Sequence, residues 1–88
     1  MKILIIKLGA RGDVFRTTSV LRGLRKKYKN SKIYWVTNDD CLDLIKDNKH
    51  IDNIILYSES KSLINSNFDL IINLDEDVKA CEIASSVK

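Results

Sequence analysis

The sequence has no proline, three glycines and two cysteines, and these shortages exclude several classes of protein. It contains no linker or low-complexity segment. Cys41 and Cys81 do not form a C-x-x-C pair and have no cluster of histidines near them, so we interpret both as buried thiols in a reducing cytosol rather than as a disulfide framework or zinc ligands. No apolar run approaches the ~20 residues of a membrane span, and the run after Lys2 is too short for a signal peptide.

The 88 residues are 44% hydrophobic, which is enough to build the core of one domain or of a piece of one. The net charge of +3 conceals a division along the chain. Residues 1–37 carry ten Lys or Arg against one acid, and residues 38–88 carry five against eleven acids. Such asymmetry can mark contact with nucleic acid or a membrane. Because five of the ten cations lie in residues 22–29, we interpret most of the excess as complementing a helix C-terminus, and we expect no nucleic-acid partner.

Apolar and β-branched runs alternate with helical patterns along the chain. Four runs predict strands: Lys2–Lys7, Lys32–Thr37, Asn53–Tyr57 and Phe68–Leu74. Three patterns predict helices: Gly12 or Asp13 to Tyr28, Cys41 to about Asp47, and Val78 to about Val87. Ser60–Ser66 is predicted as a loop with one turn of helix. This alternation predicts an α/β fold, an open doubly wound parallel sheet of Rossmann type with strand order 3-2-1-4.

Two local features of this pattern carry further expectations. Arg22, Arg25, Lys26 and Lys29 are expected to point largely to water, and Asn38-Asp39-Asp40 to supply side chains that cap the second helix. A fifth strand would normally cover the fourth. We therefore expect a truncated domain with a bare fourth-strand edge, which favours self-association.

The stretch Lys7-Leu8-Gly9-Ala10-Arg11-Gly12-Asp13-Val14 lies at the turn from the first strand to the first helix. Open α/β sheets place ligand sites at such turns, and the first N–H groups of the helix favour anions. The G-x-x-G spacing is an incomplete dinucleotide fingerprint, and no P-loop spacing is present. Asp39 or Asp40 occupies the region of a ribose-binding acid, although a capping role accounts for both.

This turn, continued through Phe15-Arg16-Thr17-Thr18, resembles the N-terminal signature of glycosyltransferase family 9, the heptosyltransferase family that builds the lipopolysaccharide inner core. The likeness extends over nearly all 88 residues. Four further segments carry it: Val20–Tyr28, Lys32–Thr37, Ile51–Ile55 and Phe68–Leu74. The resemblance implies an enzyme of two Rossmann-like domains in a GT-B arrangement, with residues 1–88 forming the front part of the acceptor-side domain. Arg16-Thr17-Thr18-Ser19 and Asp75-Glu76 depart from the usual motifs, which leaves the identity of the acceptor open.

The resemblance also implies roles for individual residues. Asp13 would be the base that deprotonates an acceptor hydroxyl. The sugar would be transferred with inversion at its anomeric carbon and without a metal bound to the protein. The alternative is that Asp13 only caps the first helix. The residues expected to bind substrate are Lys7, Gly9, Arg11, Gly12, Arg16 and Thr17. The cations among them would form a positive pocket for an acidic sugar or phosphate, while Arg11 and Arg16 could equally be solvated surface. His50 receives no role, and Tyr28, Tyr34 and Trp35 are expected in the core or on a sheet face.

The implied partners are a lipopolysaccharide-core or other anionic glycan acceptor and, in the full-length enzyme, a nucleotide-sugar donor. That donor is expected to bind a second domain, so the chain alone should need no cofactor and show no transferase activity. The implied location is cytoplasmic, with peripheral contact at the inner face of the membrane. Two alternatives stay open: a small non-catalytic Rossmann-like module that binds a nucleotide or phosphate, and a basic domain that contacts nucleic acid.

Overall fold

A computed structural model describes residues 1–9, 19–63 and 67–74 of the chain. Its strands are β1 (Lys2–Ile6), β2 (Lys32–Thr37), β3 (Asn53–Leu56) and β4 (Leu70–Asn73). Its helices are α1 (Val20–Lys27), a first 3-10 helix (Asp39–Cys41), α2 (Leu42–Ile45) and a second 3-10 helix (Tyr57–Leu63). The strands form one parallel sheet in the order β3-β2-β1-β4, so the predicted α/β class and strand order are confirmed.

The central strand β1 is buried on both faces, which explains its uninterrupted apolar sequence. Ile3–Ile6 are fully buried, and β1 pairs with β2 on one side and β4 on the other. In this register Ile6 lies between Val36 and Asn73, so three strands end at the same level. The carboxyl ends of the strands therefore form one edge of the sheet, where the turn after β1 begins.

The alternation of side chains along each strand divides the core between the two faces of the sheet. The face that packs against α1 and α2 contains seven buried residues: Ile3, Ile5, Leu21, Ile33, Trp35, Cys41 and Ile45. The opposite face contains five, of which the last comes from the second 3-10 helix: Leu4, Ile6, Leu8, Val36 and Leu63. The expected burial of Trp35 and of the Cys41 thiol is confirmed, whereas Cys81 lies outside the described residues.

The differences from the predicted elements lie at their ends. Each of the first, third and fourth strands is shorter than predicted. A 3-10 helix covers Tyr57–Leu63, whereas the sequence predicts Tyr57 in the third strand and a loop with one turn of helix over Ser60–Ser66. Asn38 occupies the N-cap position of the first 3-10 helix, but its side chain makes no capping hydrogen bond. The start of the first helix and the whole of the final predicted helix lie outside the described residues.

Arg25 does not point to water, so that expectation is wrong. Its guanidinium donates to the carbonyl oxygens of Ser31 and His50, at 2.5 and 3.0 Å, and to the Asp52 carboxylate at 2.5 Å. Asp52 also accepts the Ile33 N–H at 2.7 Å. Arg25 thus links the end of α1 to the beginnings of β2 and β3. His50, left without a role by the sequence, supplies a backbone acceptor to this link.

The carboxyl group of Asp52 is correspondingly acidic. Burial raises its pKa, but the Ile33 N–H, the hydrogen bond and charge of Arg25 and the charge of Lys32 together lower it more. The net pKa of Asp52 therefore lies below its ordinary value of 3.8. The ionised form of Asp52 is the one that this end of the sheet stabilises.

The beginning of β4 is held to the beginning of β1 by a second set of contacts. The backbone N–H of Lys2 donates to the Asp69 carboxylate at 2.7 Å, and the Asp69 N–H donates to the Lys2 carbonyl at 2.8 Å. The ammonium of Lys2 lies 5.4 and 5.0 Å from the ring centroids of Tyr34 and Phe68. These two rings meet edge to face, with centroids 5.2 Å apart. The segment that carries β4 is therefore fixed to both β1 and β2.

Candidate functional site

The candidate site lies at the carboxyl ends of the parallel strands, where the chain leaves β1. Open α/β sheets bind ligands in this position, because the strand order reverses there and the loops diverge. In this sheet β2 lies on one side of β1 and β4 on the other, so the reversal falls at β1 itself. Lys7, Leu8 and Gly9 are the described residues that enter the turn.

These residues remain hydrogen-bonded to the neighbouring strand after β1 has ended. The Lys7 N–H donates to the Val36 carbonyl at 3.1 Å, and the Leu8 carbonyl accepts the Asn38 N–H at 3.0 Å. The buried hydroxyl of Thr37 also donates to the Leu8 carbonyl, at 3.5 Å. The path of the chain into the turn is therefore fixed by backbone geometry.

Lys7 is buried at this edge, with only 9% of its surface exposed. Lys7 directly follows the last residue of β1, so it lies at the carboxyl edge of the sheet, as the sequence predicts. Its role in binding substrate stays a prediction.

Gly9 lies against the segment that follows β2. A Cβ atom at this position would lie 3.3 Å from Nδ2 of Asn38, closer than side chains normally approach. A side chain at position 9 would therefore require the Asn38 amide to shift by a few tenths of an ångström. The close approach gives a physical reason for glycine at this point of the turn. The sequence did not predict the contribution of Asn38, because only the pairing of β1 with β2 brings the two residues together.

The ends of β2 and β3 meet through a second polar contact. The hydroxyl of Ser58 lies 3.3 and 3.2 Å from the two carboxylate oxygens of Asp39, to which it donates. Asp39 was predicted as a helix cap and as a less favoured ribose contact, and instead it accepts this hydroxyl. Asp40 and Glu59 are exposed beside this pair in the sequence. This side of the sheet edge is therefore acidic, in contrast to the buried cation of Lys7.

The other predicted site residues, Arg11, Gly12, Asp13, Arg16 and Thr17, lie outside the described residues, and their roles stay predictions. Within the ranges 1–9, 19–63 and 67–74, no group of three or more His, Cys, Asp and Glu side chains is arranged to hold a metal ion. No helix in these ranges is long and apolar enough to cross a membrane.

The fold and the position of the turn define a Rossmann-like α/β sheet with a candidate ligand site after its central strand. Three solved structures share this fold over nearly the whole chain. They are the glycosyl transferase family 9 protein of Veillonella parvula DSM 2008 (24% identity, TM-score 0.86), the E. coli ADP-heptose lps heptosyltransferase II (22%, 0.83) and the E. coli heptosyltransferase WaaC with ADP (20%, 0.86). The resemblance to family 9 is thus confirmed at the level of the fold.

This chain is much shorter than the three solved chains. The matches cover 98, 98 and 99% of this chain but only 29, 28 and 32% of the three solved chains, in the same order. The chain therefore spans about a third of the length of the proteins whose fold it shares. No protein-family model matches the sequence, and no curated protein matches it significantly.

Proposed function

We propose that this chain is the N-terminal, acceptor-binding portion of an inverting glycosyltransferase of family 9. The observation that carries the proposal is the agreement in fold, at TM-scores of 0.83 to 0.86, with two heptosyltransferases and a family 9 protein. The family-like stretch from Lys7 begins at the end of the central strand, where this type of sheet binds ligands. The sugar transferred is a heptose or a related sugar, and the acceptor is of lipopolysaccharide type.

The proposed reaction is a single displacement at the anomeric carbon of the donor sugar. The carboxylate of Asp13 accepts the proton of an acceptor hydroxyl as that oxygen forms the new glycosidic bond. The bond from the anomeric carbon to the nucleoside diphosphate breaks at the same time, and the diphosphate leaves with its electron pair. The configuration of the sugar inverts. Lys7 and Arg11 contribute positive charge that favours an anionic acceptor.

The proposed reaction also explains why a second domain is needed. Transfer requires the acceptor hydroxyl and the anomeric carbon to be held together, and orientation of two reactants supplies much of the rate. Residues 1–88 would hold the acceptor, and a further domain would hold the nucleotide-sugar. The chain in isolation would then bind the acceptor without turning it over.

The proposal is tested by titrating the isotope-labelled chain with a soluble lipopolysaccharide-core oligosaccharide, a neutral disaccharide and a nucleotide-sugar, and recording amide shifts. We expect the anionic oligosaccharide to shift Lys7, Leu8 and Gly9 and the neutral disaccharide to leave them unchanged. Shifts at these residues with the nucleotide-sugar alone would instead favour the nucleotide-binding module and would overturn the proposal.

Two glycine variants provide a matched comparison in the same titration. In Gly9→Ala the new methyl group meets Asn38, so we expect affinity for the oligosaccharide to fall by roughly tenfold, the scale of a forced steric contact. In Gly23→Ala the new methyl group has nothing within 4 Å, so affinity should be unchanged. Equal affinities for the two variants would exclude the turn at Gly9 from the binding site.

A further inference from the structure

Asn38, the half-buried residue that follows β2, has a main chain that the fold fixes and a side chain that the fold does not use. Its N–H donates to the Leu8 carbonyl at 3.0 Å, and its own carbonyl accepts the Cys41 N–H at 3.0 Å. Its carboxamide, in contrast, makes no hydrogen bond within the described residues. A carboxamide carries two N–H donors and a carbonyl acceptor, so Asn38 presents unused hydrogen-bonding groups at the candidate site.

The Asn38 side chain does not take the position in which asparagine normally stabilises a helix. The residue is the N-cap of the first 3-10 helix and has extended backbone angles, φ −69° and ψ 152°. From this conformation an asparagine oxygen usually accepts a backbone N–H of the first helical turn, but that bond is not made here. Instead Nδ2 lies 3.3 Å from the point where a Cβ atom of residue 9 would be. The carboxamide therefore lies beside the turn after β1.

The surroundings of this carboxamide favour an uncharged ligand group. Because Gly9 has no side chain, residue 9 does not cover the side of the carboxamide that faces the turn. Lys7 lies at the end of β1, whereas Asp39, the residue after Asn38, carries the carboxylate that accepts the Ser58 hydroxyl. That carboxylate disfavours an anionic group on the side of Asn38. A hydroxyl group both donates and accepts, as a carboxamide does, so the two are matched without any charge.

We propose that the Asn38 carboxamide binds a hydroxyl group of the acceptor sugar and thereby sets the orientation of that sugar in the site. The inference rests on the proposed function, and it adds a specificity-determining residue that the family-like stretch from Lys7 does not contain. The acceptor lies with its anionic group towards Lys7 and with a hydroxyl group on Asn38. Gly9 acts through Asn38 in this arrangement, because a side chain at position 9 would shift the carboxamide away from the hydroxyl.

The test is a double-mutant cycle in the 88-residue chain, read out as affinity for a soluble lipopolysaccharide-core oligosaccharide. We expect Asn38→Ala to lower the affinity by roughly fivefold, the scale of one neutral hydrogen bond. Gly9→Ala should lower it roughly tenfold in the wild type but less than about twofold in Asn38→Ala, where the new methyl group has no amide to displace. Asn53→Ala is the matched control. Asn53 is exposed at the start of β3, at the opposite end of the sheet, so affinity should be unchanged.

The side-chain N–H signals of Asn38 in the isotope-labelled chain provide a direct second readout. They should shift with the oligosaccharide and stay in place with inorganic phosphate, which offers charge but no sugar hydroxyl. Equal losses from Gly9→Ala in the two backgrounds, unchanged affinity of Asn38→Ala, or equal shifts with phosphate would each overturn the role of Asn38. In those cases oligosaccharide binding by the wild type would still support the proposed function. If the wild type does not bind the oligosaccharide, the proposed function fails and this inference fails with it.

Discussion

Replacing Arg25 by alanine should destabilise the chain more than replacing any of the exposed cations of α1, which are Arg22, Lys26 and Lys27. The substitution removes the Arg25 donor from the Ser31 and His50 carbonyls and from the Asp52 carboxylate, which keeps only the Ile33 N–H among its described donors. A hydrogen bond from a charged donor contributes ~1.5–3 kcal/mol when buried, whereas an exposed ion pair contributes ~0–1 kcal/mol. The side chains of Arg25 and Asp52 are 22% and 37% exposed. The contribution of the contacts to Ser31 and Asp52 to stability therefore lies between these two limits. We expect a loss of about 2 kcal/mol for the set.

The assay is thermal unfolding followed by circular dichroism, with Arg22→Ala as the control. Arg22 is exposed on the same helix, and its replacement should change stability by no more than ~0.5 kcal/mol. For a chain of this size a loss of 1 kcal/mol lowers Tm by about 4–8 °C, so Arg25→Ala should unfold roughly 8–16 °C below the wild type. If the Tm of Arg25→Ala lies within about 3 °C of that of Arg22→Ala, the role given to Arg25 is refuted. A difference of that size is on the order of the ~0.5 kcal/mol expected of a surface change.

Acid titration provides a second, independent measure of the same link. The pKa of Asp52 is lower in the folded chain than its ordinary value of 3.8. Its contribution to stability is therefore complete above pH 3.8 and is lost as the pH falls through the folded pKa. The difference in stability between the wild type and Arg25→Ala should shrink in acid below pH 3.8. Asp52→Asn, which cannot ionise, should remove this pH dependence; a difference that stays constant through acid would contradict the assignment.

Three further predictions concern activity and assembly. In a full-length protein that begins with this sequence, Asp13→Asn should lower turnover by roughly 10²–10⁴-fold with little change in stability, because asparagine caps a helix as well as aspartate does; near-normal initial rates would leave Asp13 as a cap only. The 88-residue chain, incubated with nucleotide-heptose and a lipopolysaccharide-core acceptor, should show no turnover above background, and any turnover would place the donor site within it. Sedimentation should reveal self-association through the edge of β4, and a strictly monomeric chain across the micromolar range would contradict this.

The sheet could be predicted because each strand is recognisable from its own short run of residues. Each strand is an apolar or β-branched run, and the long crossovers allow only a few arrangements, of which 3-2-1-4 was the one expected and found. Arg25 was mispredicted for the opposite reason. Local periodicity treats an arginine as a surface residue, whereas its partner Asp52 lies 27 residues further along the chain. Only the parallel pairing of β2 with β3 brings Asp52 into reach of α1.

The candidate site likewise contains residues that the sequence predicts and contacts that it does not. The sequence placed Lys7 and Gly9 at the end of the first strand, because a strand followed by a glycine turn is a local pattern. It did not predict that Asn38 limits the space beside Gly9, or that Ser58 binds Asp39. Each of these contacts joins the ends of two different strands, and the register that aligns them is a property of the folded sheet.

The pairing of β1 with β4 has a consequence for how the chain folds as it is made. The Lys2–Asp69 contact spans 67 residues, so one side of the most apolar strand has no partner until β4 has been synthesised. At ~5–20 residues per second, a ribosome needs about 3–13 s to make that stretch. During this interval β1 can pair with β2, but its other edge stays available to any strand in the vicinity. An unpaired edge can template the wrong pairing, so Ile3–Ile6, which are fully buried in the finished fold, are the residues most at risk of it during synthesis.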